Sequence, residues 1–248
     1  MLYYIILILI FFLYMYLYTV EKKITVSPSN IFKKGFIYYE FNSDLDNLNV
    51  NDKKNIIKNS VLEKLPKDYI FLDYYYYIKG CSLSTFHRDV TSGQKYLNTK
   101  HPTYTVILYE YEGDFLSLCP NSYKQFPFIT SKVISISGNK NTIVIFNSDI
   151  LHAGIINSIG QNRKVLQFKV VHKEDLHLCN DLNKILVEKN TNCNLNNNLE
   201  HILRFSSLHF AWLINGFMYP LSQKKYNNGY IKYIQEQIPI SFYNNIKE

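Results

Sequence analysis

The chain has 248 residues and a formal net charge of +7. A length of this order suits one catalytic-sized domain with a hydrophobic core, and it argues against a multidomain array. The basic residues are scattered along the chain, which favours a solvated surface over a nucleic-acid interface, so no nucleic-acid partner is expected. Cys81, Cys119, Cys179 and Cys193 show no CxxC pairing and are sparse for a disulfide-stapled domain. We therefore expect reduced, structural thiols.

Residues 2–20 carry no charge and predict one transmembrane helix, because 19 residues at about 1.5 Å each nearly cross a hydrocarbon core of roughly 30 Å. A cleaved signal peptide is the rival interpretation, although the segment lacks a basic leader and an A-x-A-like cleavage site. Lys22 and Lys23 follow the apolar segment, which by the positive-inside rule places the catalytic domain in the cytoplasm. The expectation is a single-pass membrane protein that contacts the membrane through residues 2–20.

Four segments follow from the pattern of apolar residues. Residues 1–20 are the expected transmembrane anchor, and 21–67 form a tether with one amphipathic helix between Asp44 and Leu65 that Pro66 ends. Residues 68–172 contain short β-branched and aromatic runs separated by turn residues, which is typical of a jelly roll. Residues 173–248 read as a helical segment that packs on this core.

The expected helices and strands complete the fold class. The helices after the core are expected at Asp175–Glu188, Leu199–Tyr219 and Tyr230–Gln237. The strands are expected at 69–78, 103–112, 114–119, 132–137, 142–147, 153–158 and 163–171. The sequence thus predicts a mainly β protein with flanking helices, a double-stranded β-helix of the cupin-like jelly-roll kind, and an N-terminal transmembrane helix.

The central segment contains the pattern His87-Arg88-Asp89, followed by His152 and Arg163. An iron(II) centre that must also bind a bidentate co-substrate and O₂ needs three protein ligands on one side, and two histidines with one carboxylate supply them. Side chains at positions i and i+2 of an extended segment point the same way, which suits His87 and Asp89. Alone this pattern is common by chance, so its context matters.

The context of these residues strengthens the prediction. Tyr77-Ile78-Lys79-Gly80 ends a strand just before His87, and an apolar strand at 142–147 and a polar turn precede His152. Arg163 opens another strand eleven residues after His152. Its planar guanidinium suits pairing with the distal carboxylate of a dicarboxylate, although Lys164 or Lys169 could take that role.

In these features the chain resembles the 2-oxoglutarate/iron(II) oxygenase superfamily, especially its prolyl-hydroxylase-like and phytanoyl-CoA-hydroxylase-like branches. The resemblance covers about residues 68–172 and rests on YxxG before HxD, the strand and turn 105–113, the turn 119–123, the distal histidine and G-x-x-R. It implies that His87, Asp89 and His152 hold Fe(II), with no catalytic residue beyond these ligands. It also implies that Arg163 binds 2-oxoglutarate and that Tyr104 is a second contact for the same carboxylate.

The resemblance implies a dioxygenase that uses O₂ to convert 2-oxoglutarate to succinate and CO₂ while it hydroxylates a substrate, and it leaves ascorbate open as a reductant. The substrate would be a protein side chain or a membrane-proximal small molecule. Two alternatives remain. One is a cupin-type metal enzyme without 2-oxoglutarate, which would not need a carboxylate clamp at Arg163. The other is a membrane-anchored, non-catalytic barrel that acts in protein interaction.

Overall fold

A computed structural model describes residues 2–18, 22–24, 31–89, 94–124, 132–156, 163–180, 182–191 and 197–210. The helices of this part are α1 (Leu2–Tyr18), α2 (Ile31–Lys34), α3 (Val50–Leu62), α4 (Gln94–Leu97) and α5 (Asn197–His209). The strands are β1 (Lys22–Ile24), β2 (Phe36–Glu40), β3 (Tyr69–Phe71), β4 (Tyr74–Gly80), β5 (Tyr104–Tyr109), β6 (Gly113–Leu118), β7 (Ile134–Gly138), β8 (Thr142–Asn147), β9 (His152–Gly154), β10 (Lys164–His172) and β11 (Ile185–Thr191).

The N-terminal helix corrects one expectation. Helix α1 has 17 residues, and at about 1.5 Å per residue its length of about 26 Å falls short of a hydrocarbon core of roughly 30 Å. Across the described ranges, no helix combines the length and the apolar character needed to cross a membrane. The predictions of a transmembrane anchor at residues 2–20 and of a single-pass membrane location were therefore wrong.

The strands form two sheets. The larger sheet has the order β11-β4-β10-β5-β8-β2, and β3 also pairs with β10. The smaller sheet has the order β1-β7-β6-β9, and an isolated antiparallel bridge joins His87 to His152 at the start of β9. Between β5 and β10 the chain crosses from one sheet to the other four times, which is typical of a jelly roll. The mainly β, jelly-roll-like fold expected from the sequence is confirmed.

The two faces of the larger sheet have different partners. Its outer face packs against α3, where Ile57 and Val61 contact a cluster that includes Leu166 and Phe168 of β10. Its inner face shares a second cluster with the smaller sheet, formed by residues of β2, β5, β6, β7, β8 and β10 together with Ile150. Because side chains alternate along a strand, Val165 of β10 lies in the inner cluster while its neighbour Leu166 lies in the outer one. This alternation decides which polar side chains reach the interior.

One local prediction was wrong, and another lies outside the described residues. Instead of the helix expected at Asp175–Glu188, a 3₁₀ turn spans Lys173–Cys179 and β11 runs parallel to β4. Strands β2 and β11 belong to the larger sheet although they lie outside residues 68–172. The helix expected at Tyr230–Gln237 lies outside the described residues.

The cysteines differ in part from the expectation of reduced thiols. Cys81 is disulfide-bonded, whereas Cys119 and Cys179 are free and buried. Burial raises the pKa of the Cys179 thiol to about 11. Cys193 lies outside the described residues.

Candidate metal centre

The structure brings His87, Asp89 and His152 together. One ligand atom from each side chain lies within 4.8 Å of the others, and Nε2 of His152 is 3.6 Å from Oδ1 of Asp89. The backbone sets this proximity, because the amide of His87 donates to the carbonyl of His152 at 2.8 Å and the amide of His152 donates back at 2.9 Å. The amide of Asp89 also donates to Ser148 at 3.1 Å.

Gly80 and Arg88 help to place the HxD segment. Gly80 ends β4 at φ +100°, and a Cβ there would lie 2.1 Å from the carbonyl oxygen of Thr191, so only glycine fits. Arg88 is buried and donates to the carbonyls of Asp149 and Ser122. Its side chain therefore ties the segment to the turn before His152.

Both imidazole rings are held so that the same nitrogen remains for a metal. Nδ1 of His87 lies 2.9 Å from the carbonyl oxygen of Thr85, and Nδ1 of His152 lies 3.0 Å from that of Ile150. A carbonyl oxygen only accepts hydrogen bonds, so Nδ1 carries the proton in each ring and the Nε2 lone pair is available. This arrangement, in which a backbone carbonyl fixes the tautomer, is common for metal-binding histidines.

Asp89 is held through one of its two carboxylate oxygens. Oδ2 accepts hydrogen bonds from Nζ of Lys169 at 2.5 Å and from Oγ1 of Thr105 at 2.5 Å. Nζ of Lys169 also donates to Oγ1 of Thr105 at 2.8 Å, and the Lys169 side chain is fully buried. Oδ1 faces the histidines, so Asp89 can offer one oxygen to a metal.

Burial and charge set the protonation of these groups. Burial lowers the pKa of His152 to about 3, with a further contribution from His87. Burial likewise lowers the pKa of His87. Burial alone would raise the pKa of Asp89, but Lys169 and the two histidines outweigh it and hold that pKa well below its usual value. At neutral pH the site therefore has two neutral imidazoles and a carboxylate, the forms that bind metals.

These donors fit a divalent transition metal. Two imidazole nitrogens and one carboxylate oxygen on one side of a site are the ligand set of non-haem iron(II) enzymes, which keep open positions for a co-substrate and O₂. His87, Asp89 and His152 would hold the ion. The ring of Phe146 lies 4.6 Å from that of His152, so the site adjoins the apolar interior.

Arg163 lies directly before β10 and is 95% buried. Its Nε donates to the hydroxyl of Tyr111 at 3.3 Å, while Nη1 is buried and has no hydrogen-bond partner among the residues that the structure describes. Arg163, Val165 and Lys169 are separated by even numbers of residues, so they point to the same side of the strand, and Val165 is part of the inner cluster. Arg163 and Lys169 thus lie on the interior side about 20 Å apart along the backbone.

The other predicted partners of the co-substrate lie elsewhere. Tyr104 packs in the outer cluster, with its ring 5.2 Å from that of Tyr69. It is therefore on the opposite face of β5 from Thr105, and the tyrosine beside Arg163 is Tyr111. Lys164 is adjacent to Arg163 and points to the outer side, whereas Lys169 contacts the candidate ligand Asp89.

A second group of potential ligands comprises His101, His172 and Glu174. The rings of His101 and His172 lie nearly face to face, with centroids 3.7 Å apart at 31°, so their lone pairs do not converge on one point. Nδ1 of His172 accepts from the amide of Glu174, and the Glu174 carboxylate pairs with Lys100 at 2.7 Å. These existing contacts make this group a poorer metal site than the triad.

Sequence reasoning did not single out Thr105 and considered Lys169 only as a substitute for Arg163. The available signal was a lysine within the apolar strand Val165–Val171, because a buried lysine needs a partner and Asp89 is a natural one. Thr105 is placed by strand register, since it lies directly opposite Lys169 in the pairing of β5 with β10. That register is not visible in the sequence.

Comparisons with known proteins give weak likenesses. No family model and no curated protein matches the chain. Among solved structures, the non-haem α-ketoglutarate-dependent epimerase SnoN from nogalamycin biosynthesis has a TM-score of 0.44 at 9% identity, over 58% of this chain and 80% of that one. HygX from Streptomyces hygroscopicus, solved with nickel and 2-oxoglutarate bound, has a TM-score of 0.42 at 12% identity, over 58% of this chain and 84% of that one.

AviO1 from Streptomyces viridochromogenes Tue57 has a TM-score of 0.40 at 10% identity, over 60% of this chain and 97% of that one. All three TM-scores lie below 0.5, so the function of this chain has to be inferred from its own residues.

Proposed function

We propose that this chain is an Fe(II)- and 2-oxoglutarate-dependent dioxygenase that hydroxylates an organic substrate. The observation that carries the proposal is the proximity of His87, Asp89 and His152, whose potential ligand atoms lie within 4.8 Å of one another while both Nδ1 atoms face backbone carbonyls. This donor set is the one that leaves room on iron for a bidentate co-substrate and O₂. When bound, the iron supplies the redox chemistry that couples O₂ and 2-oxoglutarate to substrate oxidation.

The interior offers a place for the far end of 2-oxoglutarate. Arg163 is a buried cation whose Nη1 has no partner within the described ranges, and such a group is costly unless a ligand pairs with it. A carboxylate would pair with the guanidinium and satisfy that donor. Arg163 would thus anchor the C5 carboxylate while the 2-oxoacid end lies at the triad.

The protein's own residues would also exclude water from the site. Ile107, Val144, Phe146 and Val165 form the apolar interior of the barrel between the two sheets. Electrostatic contacts inside such an interior are stronger than in water. The apolar lining therefore favours binding of 2-oxoglutarate through its charged ends, and it limits wasteful side reactions of the loaded site.

A second candidate function is a non-catalytic barrel. The ion pair between Lys169 and Asp89 favours it, because the ammonium neutralises the carboxylate when no metal is bound. Because the charge of Asp89 is paired even without a metal, these side chains could also belong to a protein that never binds one. The observation against this alternative is that Nη1 of Arg163 is buried without a partner in the described part of the chain, since an inactive barrel gains nothing from such a donor.

Succinate production distinguishes these functions. The purified full chain is incubated with Fe(II), ascorbate and 2-oxoglutarate under air, and succinate is measured with and without candidate substrates. We expect slow succinate formation without substrate and none in His152→Ala. A parent chain that binds Fe(II) but neither binds nor turns over 2-oxoglutarate would indicate the cupin-type alternative, and one that binds no divalent metal would indicate the non-catalytic barrel.

A further inference from the structure

Helix α5 packs on the outer face of the smaller sheet, behind the triad. Its Leu208 shares a buried cluster with Phe86 and Ala153, the residues next to His87 and His152 in the chain. Side chains alternate along extended segments, so neighbouring residues point to opposite faces. Phe86 and Ala153 therefore point outward to α5, whereas the two histidines point inward. The helix therefore contacts the backs of the two segments that carry the histidines.

Arg204 of α5 ties three neighbouring segments of this sheet together. Its Nη1 donates to the carbonyl of Ser84 at 2.7 Å and to the carbonyl of Gly154 at 2.6 Å. Its Nη2 donates to Oγ of Ser117 in β6 at 2.7 Å. The guanidinium also lies 4.7 Å from the centre of the Phe86 ring. One buried side chain thus binds β6, β9 and the segment that leads to His87.

A second contact comes from Ser207, one turn further along α5. The amide of Phe86 donates to Oγ of Ser207 at 2.8 Å, and that hydroxyl donates to the carbonyl of Arg204 at 2.8 Å. Phe86 immediately precedes His87, so this hydrogen bond fixes the backbone at the first ligand. Ser207 and Arg204 act on the same segment from the same helix.

The segment that leads to His87 meets β9 at separate points along its length. His87 is joined to β9 by an isolated bridge and not by a continuous ladder. The amide of Gly154 donates to the carbonyl of Leu83 at 2.8 Å, and a Cβ on Gly154 would lie 2.5 Å from Cβ of Ser82. The two segments therefore pack closely over a short length, and a small shift would move one histidine relative to the other.

We propose that α5 is a strap that holds the backbone bridge between His87 and His152 in place and so maintains the spacing of the two side chains, with Arg204 as the positioning residue. The hydrogen bonds of its charged guanidinium are stronger than those of a neutral donor, which suits a role in holding carbonyls from two segments. This inference rests on the metal centre proposed above, and it makes the metal affinity of that centre depend on a helix about 50 residues after His152. Residues that orient metal ligands typically change metal affinity by about 10- to 100-fold when replaced.

The test measures Co(II) binding to the full chain, followed by visible absorption under anaerobic conditions. Arg204→Met keeps most of the side-chain length but no donor, Arg204→Lys keeps the charge, and Ser207→Ala removes only the contact to Phe86. Ile202→Ala is the surface control, since Ile202 is exposed on the same helix. Val61→Ala, on the buried face of α3, is the control for lost stability. The thermal stability of each metal-free variant is measured in parallel.

We expect Arg204→Met to bind Co(II) at least tenfold more weakly with an altered absorption band, Arg204→Lys to recover part of the affinity, and Ser207→Ala to show a smaller loss. Both controls should bind Co(II) like the parent. If the parent binds Co(II) and Arg204→Met binds it equally well, the strap is refuted while the metal centre stands. If the parent itself shows no Co(II) band, the metal centre fails first. Should Arg204→Met not fold, parent-like binding by both Arg204→Lys and Ser207→Ala would refute the strap, and weaker binding by either would support it.

Discussion

The fully buried ammonium of Lys169 lies beside the candidate metal ligand Asp89. Replacing Lys169 should therefore strengthen metal binding while it destabilises the metal-free protein. In Lys169→Met the side-chain volume is nearly kept, but Asp89 loses the partner that lies 2.5 Å from its Oδ2. Breaking one side of a buried ion pair typically costs about 3–5 kcal/mol, because the remaining charge is uncompensated. We expect the metal-free variant to lose about that much of its free energy of unfolding.

A bound divalent metal should restore most of this loss. The metal places positive charge next to Asp89 and so replaces the lost ammonium. In the parent, the metal is repelled by the ammonium of Lys169, and at an effective dielectric of about 20 this repulsion costs several kcal/mol. The variant lacks this repulsion. If about 3 kcal/mol is restored, linkage requires the variant to bind metal roughly 100-fold more tightly than the parent. An ordinary structural substitution would weaken metal binding instead.

The assay is urea unfolding with and without saturating Zn(II), combined with calorimetric titration of Zn(II). Lys100→Met is the matched control, because the ion pair of Lys100 with Glu174 is exposed and should influence neither quantity. Equal destabilisation with and without metal, or weaker Zn(II) binding by Lys169→Met, would refute the electrostatic reasoning. It would instead indicate that Lys169 acts by orienting Asp89.

Three further predictions concern the same site. Arg163→Ala should bind metal like the parent, but it should bind 2-oxoglutarate roughly 10- to 100-fold more weakly. Arg163→Lys should recover part of the 2-oxoglutarate affinity. Both affinities are measured by titrating 2-oxoglutarate into the anaerobic Fe(II) protein. Asp89→Asn should lose most metal affinity, because a neutral amide replaces the carboxylate; unchanged Zn(II) binding would contradict the assigned ligand. The metal-free protein should lose stability as the pH falls below about 6.5, because the pKa of His152 is about 3 when folded and the unfolded chain takes up the proton first. The loss in the free energy of unfolding should approach about 1.4 kcal/mol per pH unit. The prediction would be excluded if the free energy of unfolding in urea were constant from pH 7 to 5 and matched that of His152→Gln.

The strands were predictable where alternation and turn residues coincide. The run at 142–147 was predicted with the bounds that β8 has, since its apolar residues lie between clear turn residues. The segment before Glu188 was predicted as helix and is β11 from Ile185 onward. Its conformation depends on parallel pairing with β4, a tertiary contact that overrides local propensity.

The candidate ligands were found because their chemistry is local in the sequence. His87 and Asp89 are two residues apart, and the strands and turns around His152 and Arg163 single out those two residues. The face of a strand is harder to predict, because a shift of one residue reverses it. Tyr104 and Thr105 are neighbours, yet Tyr104 lies in the outer cluster and Thr105 donates to Asp89. Arg204 was not visible at all, since its partners Ser84, Ser117 and Gly154 are 50 or more residues away.

The charges around the triad favour a dianionic co-substrate over a monoanionic one. Arg163 and Lys169 are buried cations and Asp89 is the carboxylate between the histidines, so the three together carry one positive charge before any metal binds. A divalent metal raises that charge to three, and uncompensated charge in a low-dielectric interior is strongly unfavourable. A dicarboxylate that ligates at one end and pairs with Arg163 at the other offsets two of these charges. A 2-oxoacid of the same length with a methyl group at its far end, such as 2-oxopentanoate, offsets only one and leaves Nη1 of Arg163 unpaired. The interior should therefore discriminate strongly between these two ligands, whereas a metal-only cupin would bind them alike.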